Sequence, residues 1–208
     1  MRTEIKICGI KNEEEIAIIN QFPVNYIGMI FAPSKRQVTV EKAARLRKLI
    51  RRDIKVVGVF VNEDINKVKE IIGLCSLEAV QLHGEETVDY CSKIDCKVWK
   101  SILVSDETSL EIIESYKNVV EGILLDTYSK DERGGTGKSF NWDMVEHLSE
   151  KYPIILAGGI SPENAVAAIN KVKPMVLDLN SGLETNLIKD KNKIEALFYN
   201  LKEAFENE

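Results

Sequence analysis

The sequence predicts an α/β fold, a single-domain (β/α)8 barrel covering residues 1–208. Three observations carry that expectation. Short β-rich runs alternate with longer amphipathic stretches along the whole chain, the pattern of a parallel sheet with helical crossovers. There are eight such units and the last ends in a helix, enough to close a barrel that usually takes about 250 residues. Polar side chains also recur at the carboxyl ends of the runs, where a sheet buried on both faces would favour Val or Ile.

In chain order, the expected strands are Glu4–Cys8, Tyr26–Phe31, Lys55–Val61, Ala79–His83, Val98–Val104, Gly122–Asp126, Ile154–Ala157 and Val176–Asn180. Each is a compact run rich in β-branched or aromatic residues and bounded by polar turns. The helices expected between and after them are Glu13–Asn20, Val40–Arg51, Ile65–Leu74, Glu86–Lys93, Thr108–Tyr116, Trp142–Lys151, Pro162–Asn170 and Lys191–Glu206. These stretches carry apolar residues at helical spacing with charges between them. Ser161 is the expected N-cap of the seventh helix, with Pro162 at its first position. The longest turn-rich insert, Thr127–Ser139, contains Gly134-Gly135-Thr136-Gly137, and inserts of that length are often functional.

Composition narrows the class. The chain is 44% hydrophobic and 29% charged, with 28 Lys and Arg against 33 Asp and Glu, giving a net charge of −5. That balance fits an ordinary globular protein and argues against a nucleic-acid surface. No apolar run is long enough to span a membrane, and Met1–Lys6 lacks the apolar core of a signal peptide. A cytoplasmic protein, monomeric or homodimeric, is expected. The four cysteines show no disulfide or zinc spacing, so Cys75, Cys91 and Cys96 read as core residues. Gly134–Ser139 resembles a P-loop, but the required first glycine is Glu132. No GxGxxG follows a strand, and no cofactor or metal is expected.

The period-two pattern of each strand separates its two faces. Ile5 and Ile7 belong against the helices, which turns Lys6 and Cys8 into the barrel. The same count places Gln81 and His83, Leu124 and Asp126, and Asp178 and Asn180 inward, with Lys100 a further candidate. Buried charges cost several kcal/mol unless paired, so Lys6 and Asp178, on strands that meet at barrel closure, are expected to neutralise each other. Cys8 and Asp126 need no such partner. They stand at strand carboxyl ends, the catalytic face of such barrels. After the seventh and eighth strands, Gly158-Gly159 and Ser181-Gly182 resemble a barrel phosphate site, where main-chain amides hold a dianion.

These residues give the sequence a family resemblance. Lys6-Ile7-Cys8-Gly9-Ile10, Ser34-Lys35-Arg36-Gln37-Val38, Val57-Gly58-Val59-Phe60-Val61 and Gln81-Leu82-His83-Gly84 come first. Leu125-Asp126 with Gly134-Gly135-Thr136-Gly137, Leu156-Ala157-Gly158-Gly159-Ile160 and Asp178-Leu179-Asn180-Ser181-Gly182-Leu183-Glu184 follow in order. Together they resemble the phosphoribosylanthranilate isomerases of tryptophan biosynthesis over essentially the whole chain. Two departures stand out: Asn180 where the family often has Ser, and Asn186-Leu187-Ile188 where it usually has Pro-Gly before Lys189-Asp190.

The resemblance implies a cofactor-free Amadori rearrangement of N-(5-phosphoribosyl)anthranilate, with Asp126 as general acid and Cys8 as general base. It implies Arg36, His83 and Asp178 as substrate-binding residues, Arg36 holding the anthranilate carboxylate, and Gly158, Gly159, Ser181 and Gly182 at the phosphate. Whether His83 touches substrate or supports a neighbour stays open. A thiol near pKa 8.5 must be made more acidic to serve as a base at neutral pH, and inward Lys6 is expected to supply the positive potential. The rival readings are another phosphosugar barrel enzyme, or a phosphate-ligand sensor needing the glycine loops but not Cys8 with Asp126.

Overall fold

The structure, a computed structural model, describes residues 3–104, 110–127 and 142–205. Eight parallel strands close into a barrel in chain order: β1 (Glu4–Ile7), β2 (Tyr26–Ile30), β3 (Lys55–Phe60), β4 (Ala79–Leu82), β5 (Lys97–Val104), β6 (Gly122–Thr127), β7 (Ile154–Leu156) and β8 (Val176–Leu179). β8 returns to β1 with Lys6 opposite Asp178. Outside lie α1 (Glu13–Ile19), α2 (Val40–Arg47), α3 (Ile65–Cys75), α4 (Val88–Ser92), α5 (Leu110–Tyr116), α6 (Ala165–Val172) and α7 (Lys191–Phe205). The Gly134–Gly137 turn and the expected start of the fifth helix at Thr108 fall outside the described residues.

The helix starts follow local chemistry. Asn12, Thr39, Asp64 and Thr87 each accept a backbone N–H of the first turn through a side-chain oxygen, satisfying donors a helix cannot pair internally. Along α7, Ile194, Leu197 and Leu201 are buried, a helical spacing that lays one apolar stripe on the barrel. Among the described residues, no helix is long and apolar enough to cross a membrane.

Three expectations need correction. Trp142–Lys151 is not one helix but two short 3-10 turns, Trp142–Met144 and Leu148–Glu150. Val145, Leu148 and Lys151 donate to the carbonyl three residues back, and that spacing already buries Val145 and Leu148. Ser161 does not cap the next helix. Asn164 occupies that position and α6 starts at Ala165. Lys100 faces the helices, because Trp99 is the residue of β5 that joins the apolar cluster inside the barrel.

That inner cluster comprises Tyr26, Val57, Ala79, Trp99, Leu124, Ile155, Ala157 and Val176. Tyr26, Ala79 and Val176 open their strands, while Lys6, Gln81 and Asp178 are each third in theirs. An apolar floor therefore lies beneath a polar layer, and this layering places the site.

The loop after β8 contains a hairpin, β9 (Glu184–Thr185) with β10 (Ile188–Lys189). Its two-residue turn holds Asn186 at φ 53° and Leu187 at φ 63°. A two-residue hairpin turn favours that conformation, but a leucine there is strained. Leu187 is partly exposed, so Leu187→Gly is expected to stabilise the protein by about 1 kcal/mol. Urea denaturation should show a higher midpoint at unchanged slope; a lower midpoint contradicts the account of the turn.

Candidate active site

The polar layer forms one connected network. Lys6 Nζ donates to Asp178 Oδ2 at 2.6 Å and to Gln81 Oε1 at 2.9 Å. Gln81 Nε2 lies 3.1 Å from His83 Nδ1. The other ring nitrogen, His83 Nε2, is 3.5 Å from Asp126 Oδ2 and 3.4 Å from Ser101 Oγ. Cys8 lies two residues on, on the same side of the chain, near enough for Lys6 and the thiol to act on each other's charge. A chain of contacts thus runs from Lys6 of β1, with Cys8 two residues on, through Gln81 and His83 to Asp126 near the end of β6. The inward register expected for Lys6, Gln81, His83 and Asp126 is what brings these groups together.

Electrostatics follow from burial. Lys6 is completely buried; burial opposes its charge, but Asp178 and then Cys8 outweigh that and raise its pKa. Burial pushes the Asp178 carboxyl up, with Lys6 and Lys189 opposing, and its Oδ1 is buried without a hydrogen-bond partner. The expected acidification of Cys8 does not hold in this structure. Burial raises the thiol pKa, and the opposing pull of Lys6 and Lys189 does not overcome it. Room for the sulfur depends on Gly28, since a Cβ there would lie 2.5 Å from Cys8 Sγ.

His83 is held neutral. Burial, then the positive charges of Lys100 and Lys6, lower its pKa from 6.5 to about 4. The unfolded chain binds a proton as pH falls through 6.5, while the folded protein refuses it until about 4. Stability is therefore full above 6.5 and falls on acidification, by about 3 kcal/mol over that window. Urea titrations at pH 7 and pH 4 should show this loss in the wild type and a smaller one in His83→Gln; equal losses would contradict it.

Arg36, in the loop after β2, is already paired. Its Nε and Nη2 grip Glu184 bidentately at 2.6–3.1 Å, and this bonding raises the guanidinium pKa further. Glu184 also accepts from buried Lys189 Nζ at 2.7 Å, so two cations share one carboxylate. Burial works against the charge of Glu184, but Arg36 and Lys189 prevail and lower its pKa. Lys189 donates as well to the backbone and side-chain oxygens of Asn180, which gives Asn a use at that position. Sequence patterning missed the burial of Lys189, because a two-residue strand is too short to show a period.

The two glycine turns meet. Gly158 and Gly159 have φ of 82° and 66°. A Cβ on Gly182 would fall 2.1 Å from Ile160 O, so only glycine lets the loop after β8 pack on the loop after β7. Asn164, unnoticed in the sequence, clamps this region. Its Oδ1 accepts from Ser161 N at 2.8 Å and its Nδ2 donates to Gly159 O at 2.9 Å. Ser181–Leu183 forms a 3-10 turn directly after β8. The chain therefore brings Gly158, Gly159, Ser181 and Gly182 to one corner, beside Asp178 on the strand below.

Lys100 forms a separate buried pair with Glu86 at 3.0 Å on the helix side. Cys75 and Cys91 are buried and Cys96 is half-buried, all as free thiols. Among the described residues, no three His, Cys, Asp or Glu side chains cluster as a metal-ion site.

Known proteins with this sequence pattern and geometry share a description. The family model for N-(5′-phosphoribosyl)anthranilate isomerase matches residues 5–200. An N-(5′-phosphoribosyl)anthranilate isomerase of Clostridium acetobutylicum is 44% identical over 195 residues, covering 92% of this chain and 94% of the relative. The crystal structure of phosphoribosyl anthranilate isomerase from Thermotoga maritima superposes with a TM-score of 0.89 at 35% identity, covering 97% of this chain and 100% of that one. A second solved isomerase, in complex with reduced 1-(o-carboxyphenylamino)-1-deoxyribulose 5-phosphate, gives 0.86 at 33% identity, with 97% and 100% coverage. With the family model spanning nearly the whole barrel and a relative of this identity, the chain belongs to the N-(5′-phosphoribosyl)anthranilate isomerase family.

Proposed function

We propose that the protein catalyses the Amadori rearrangement of N-(5′-phosphoribosyl)anthranilate to 1-(2-carboxyphenylamino)-1-deoxyribulose 5-phosphate, the third step from chorismate to tryptophan. The observation that carries this reading is the polar chain from Lys6, with Cys8 two residues on, to Asp126 at the carboxyl face of the barrel. A paired acid and base is what the reaction needs. Asp126 donates a proton to the furanose ring oxygen as the C1–O bond breaks, and the anilino nitrogen lone pair forms the iminium. Cys8 then removes the C2 proton, and the C–H electron pair becomes the enolamine double bond while the iminium π electrons return to nitrogen. Ketonisation moves a proton from the C2 hydroxyl to C1 and completes the isomerisation. The iminium nitrogen is the electron sink, so the reaction calls for no metal or redox cofactor.

The remaining residues bind. Gly158, Gly159, Ser181 and Gly182 present main chain to the phosphate, glycine allowing close approach. Asp178, on the strand below this corner, is assigned to the ligand's hydroxyl groups. Arg36 meets the anthranilate carboxylate with a second donor edge, formed by Nη1 and Nη2, while Glu184 fixes the first. Arg36→Ala is expected to raise KM with little change in kcat, as for an interaction equally strong in ground and transition states. A fall in kcat at unchanged KM would contradict a purely binding role.

The chain is read as one catalytic domain, cytoplasmic, working as a monomer or homodimer on a small molecule and not on nucleic acid or membrane. The test is loss of the substrate's anthranilate fluorescence when purified protein is added. Turnover supports the assignment; binding without turnover would favour a sensor.

A further inference from the structure

We propose that Gln81 is a positioning residue for the acid step: its amide, anchored by Lys6, locks His83 in the tautomer that carries hydrogen on Nε2, so the imidazole offers Asp126 a donor and never an acceptor. The acid-step half rests on the function proposed above; the tautomer half stands on geometry alone.

The argument begins at Lys6. An ammonium has donors only, so the Gln81 atom 2.9 Å from Lys6 Nζ must be the amide oxygen. This contact removes the usual ambiguity between amide oxygen and nitrogen. The group facing His83 Nδ1 at 3.1 Å is therefore NH2, which can only donate. His83 Nδ1 must accept, and a neutral imidazole that accepts at Nδ1 carries its hydrogen on Nε2. An imidazolium is disfavoured twice: it would set N–H against N–H at Gln81, and it would be buried beside Lys6 and Lys100. Glu86 is the opposing charge there, and it is tied up in its pair with Lys100. Ser101 and Asp126 face the other nitrogen.

The tautomer matters to the chemistry. A lone pair on Nε2 would accept the Asp126 carboxyl proton and compete for it with the substrate's ring oxygen. An Nε2–H cannot. Gln81 is buried and meets the imidazole at Nδ1, so it acts through the ring.

Histidine-selective 15N labelling tests this, because the chain has two histidines and His147→Gln identifies the His83 signals. Long-range proton–nitrogen spectra of the wild type should show Nε2 protonated and Nδ1 bare. In Gln81→Glu a carboxylate oxygen replaces the NH2 and should move the proton to Nδ1 or protonate both nitrogens. The kcat should fall about 10- to 100-fold, by analogy with the partners that orient metal-ligating histidines, with KM little changed. Gln81→Met, which keeps the volume and deletes the donor, gives the same test should Gln81→Glu not fold. A wild-type ring protonated on Nδ1, a tautomer indifferent to both substitutions, or an altered tautomer with normal kcat each overturns the proposal. A wild type that does not turn over N-(5′-phosphoribosyl)anthranilate removes the activity reading and the acid-step half, while the tautomer spectra still decide the other half.

Discussion

Asp126→Asn lowers kcat by about 10²–10⁴-fold with the barrel intact, because an amide cannot deliver a proton to the furanose oxygen. Cys8→Ser gives a loss of the same order, since a hydroxyl is a far weaker base than a thiolate. The two variants separate in their pH dependence. Burial holds the Cys8 thiol above its ordinary pKa, so kcat/KM limited by the base alone should keep rising above about pH 8.5 as the free enzyme forms thiolate. The Asp126→Asn residual activity should retain that alkaline limb, and the Cys8→Ser residual activity should lack it. Circular dichroism and thermal melts establish that both remain folded. Near-normal turnover in either variant, or an identical limb in both, would remove the roles assigned here.

Lys6→Met destabilises the protein by about 3–5 kcal/mol, the range for breaking a buried ion pair from one side. The cause is specific. Lys6 has no exposed surface, and it is the hydrogen-bond donor to Asp178 Oδ2, while Oδ1 already lacks a partner. Removing the ammonium leaves a carboxylate buried against an apolar floor. For a protein of this size the melting temperature should drop by about 10 °C or more. The double variant Lys6→Met/Asp178→Leu should recover much of the loss, because it removes the orphaned charge as well. A double variant as unstable as the single one would show that shape, not charge, holds this part of the barrel.

The alternation of Ile5, Lys6, Ile7 and Cys8 suffices to turn a lysine inward, because a strand buried on both faces still has only two sides. The same logic delivers Gln81, His83, Asp126 and Asp178, and the pairing of Lys6 with Asp178 follows from barrel closure. Lys100 shows where that logic fails. β5 runs Val98-Trp99-Lys100-Ser101, and neither face is clearly apolar. The large indole wins the interior, and the ammonium finds Glu86 outside. The thiol of Cys8 illustrates a different gap. The sequence places Lys6 two residues away, but the sign of the pKa shift depends on how completely the sulfur is desolvated, a property of the closed barrel rather than of neighbours in the chain. Likewise, the grip of Glu184 on Arg36 joins residues 148 positions apart. No local period encodes it, and Asn164 behaves as a loop clamp only because α6 begins one turn later than its Pro162 suggests.

A crystal structure of this chain with reduced 1-(o-carboxyphenylamino)-1-deoxyribulose 5-phosphate would put the assigned site to the test in one experiment. The phosphate should lie on the main chain of Gly159 and Ser181–Gly182, the aromatic carboxylate on Arg36, and the sugar carbons between Cys8 Sγ and the Asp126 carboxyl. A ligand seated elsewhere, or one that leaves both the thiol and the carboxyl beyond reach of its C1–C2 end, would contradict the acid-base assignment.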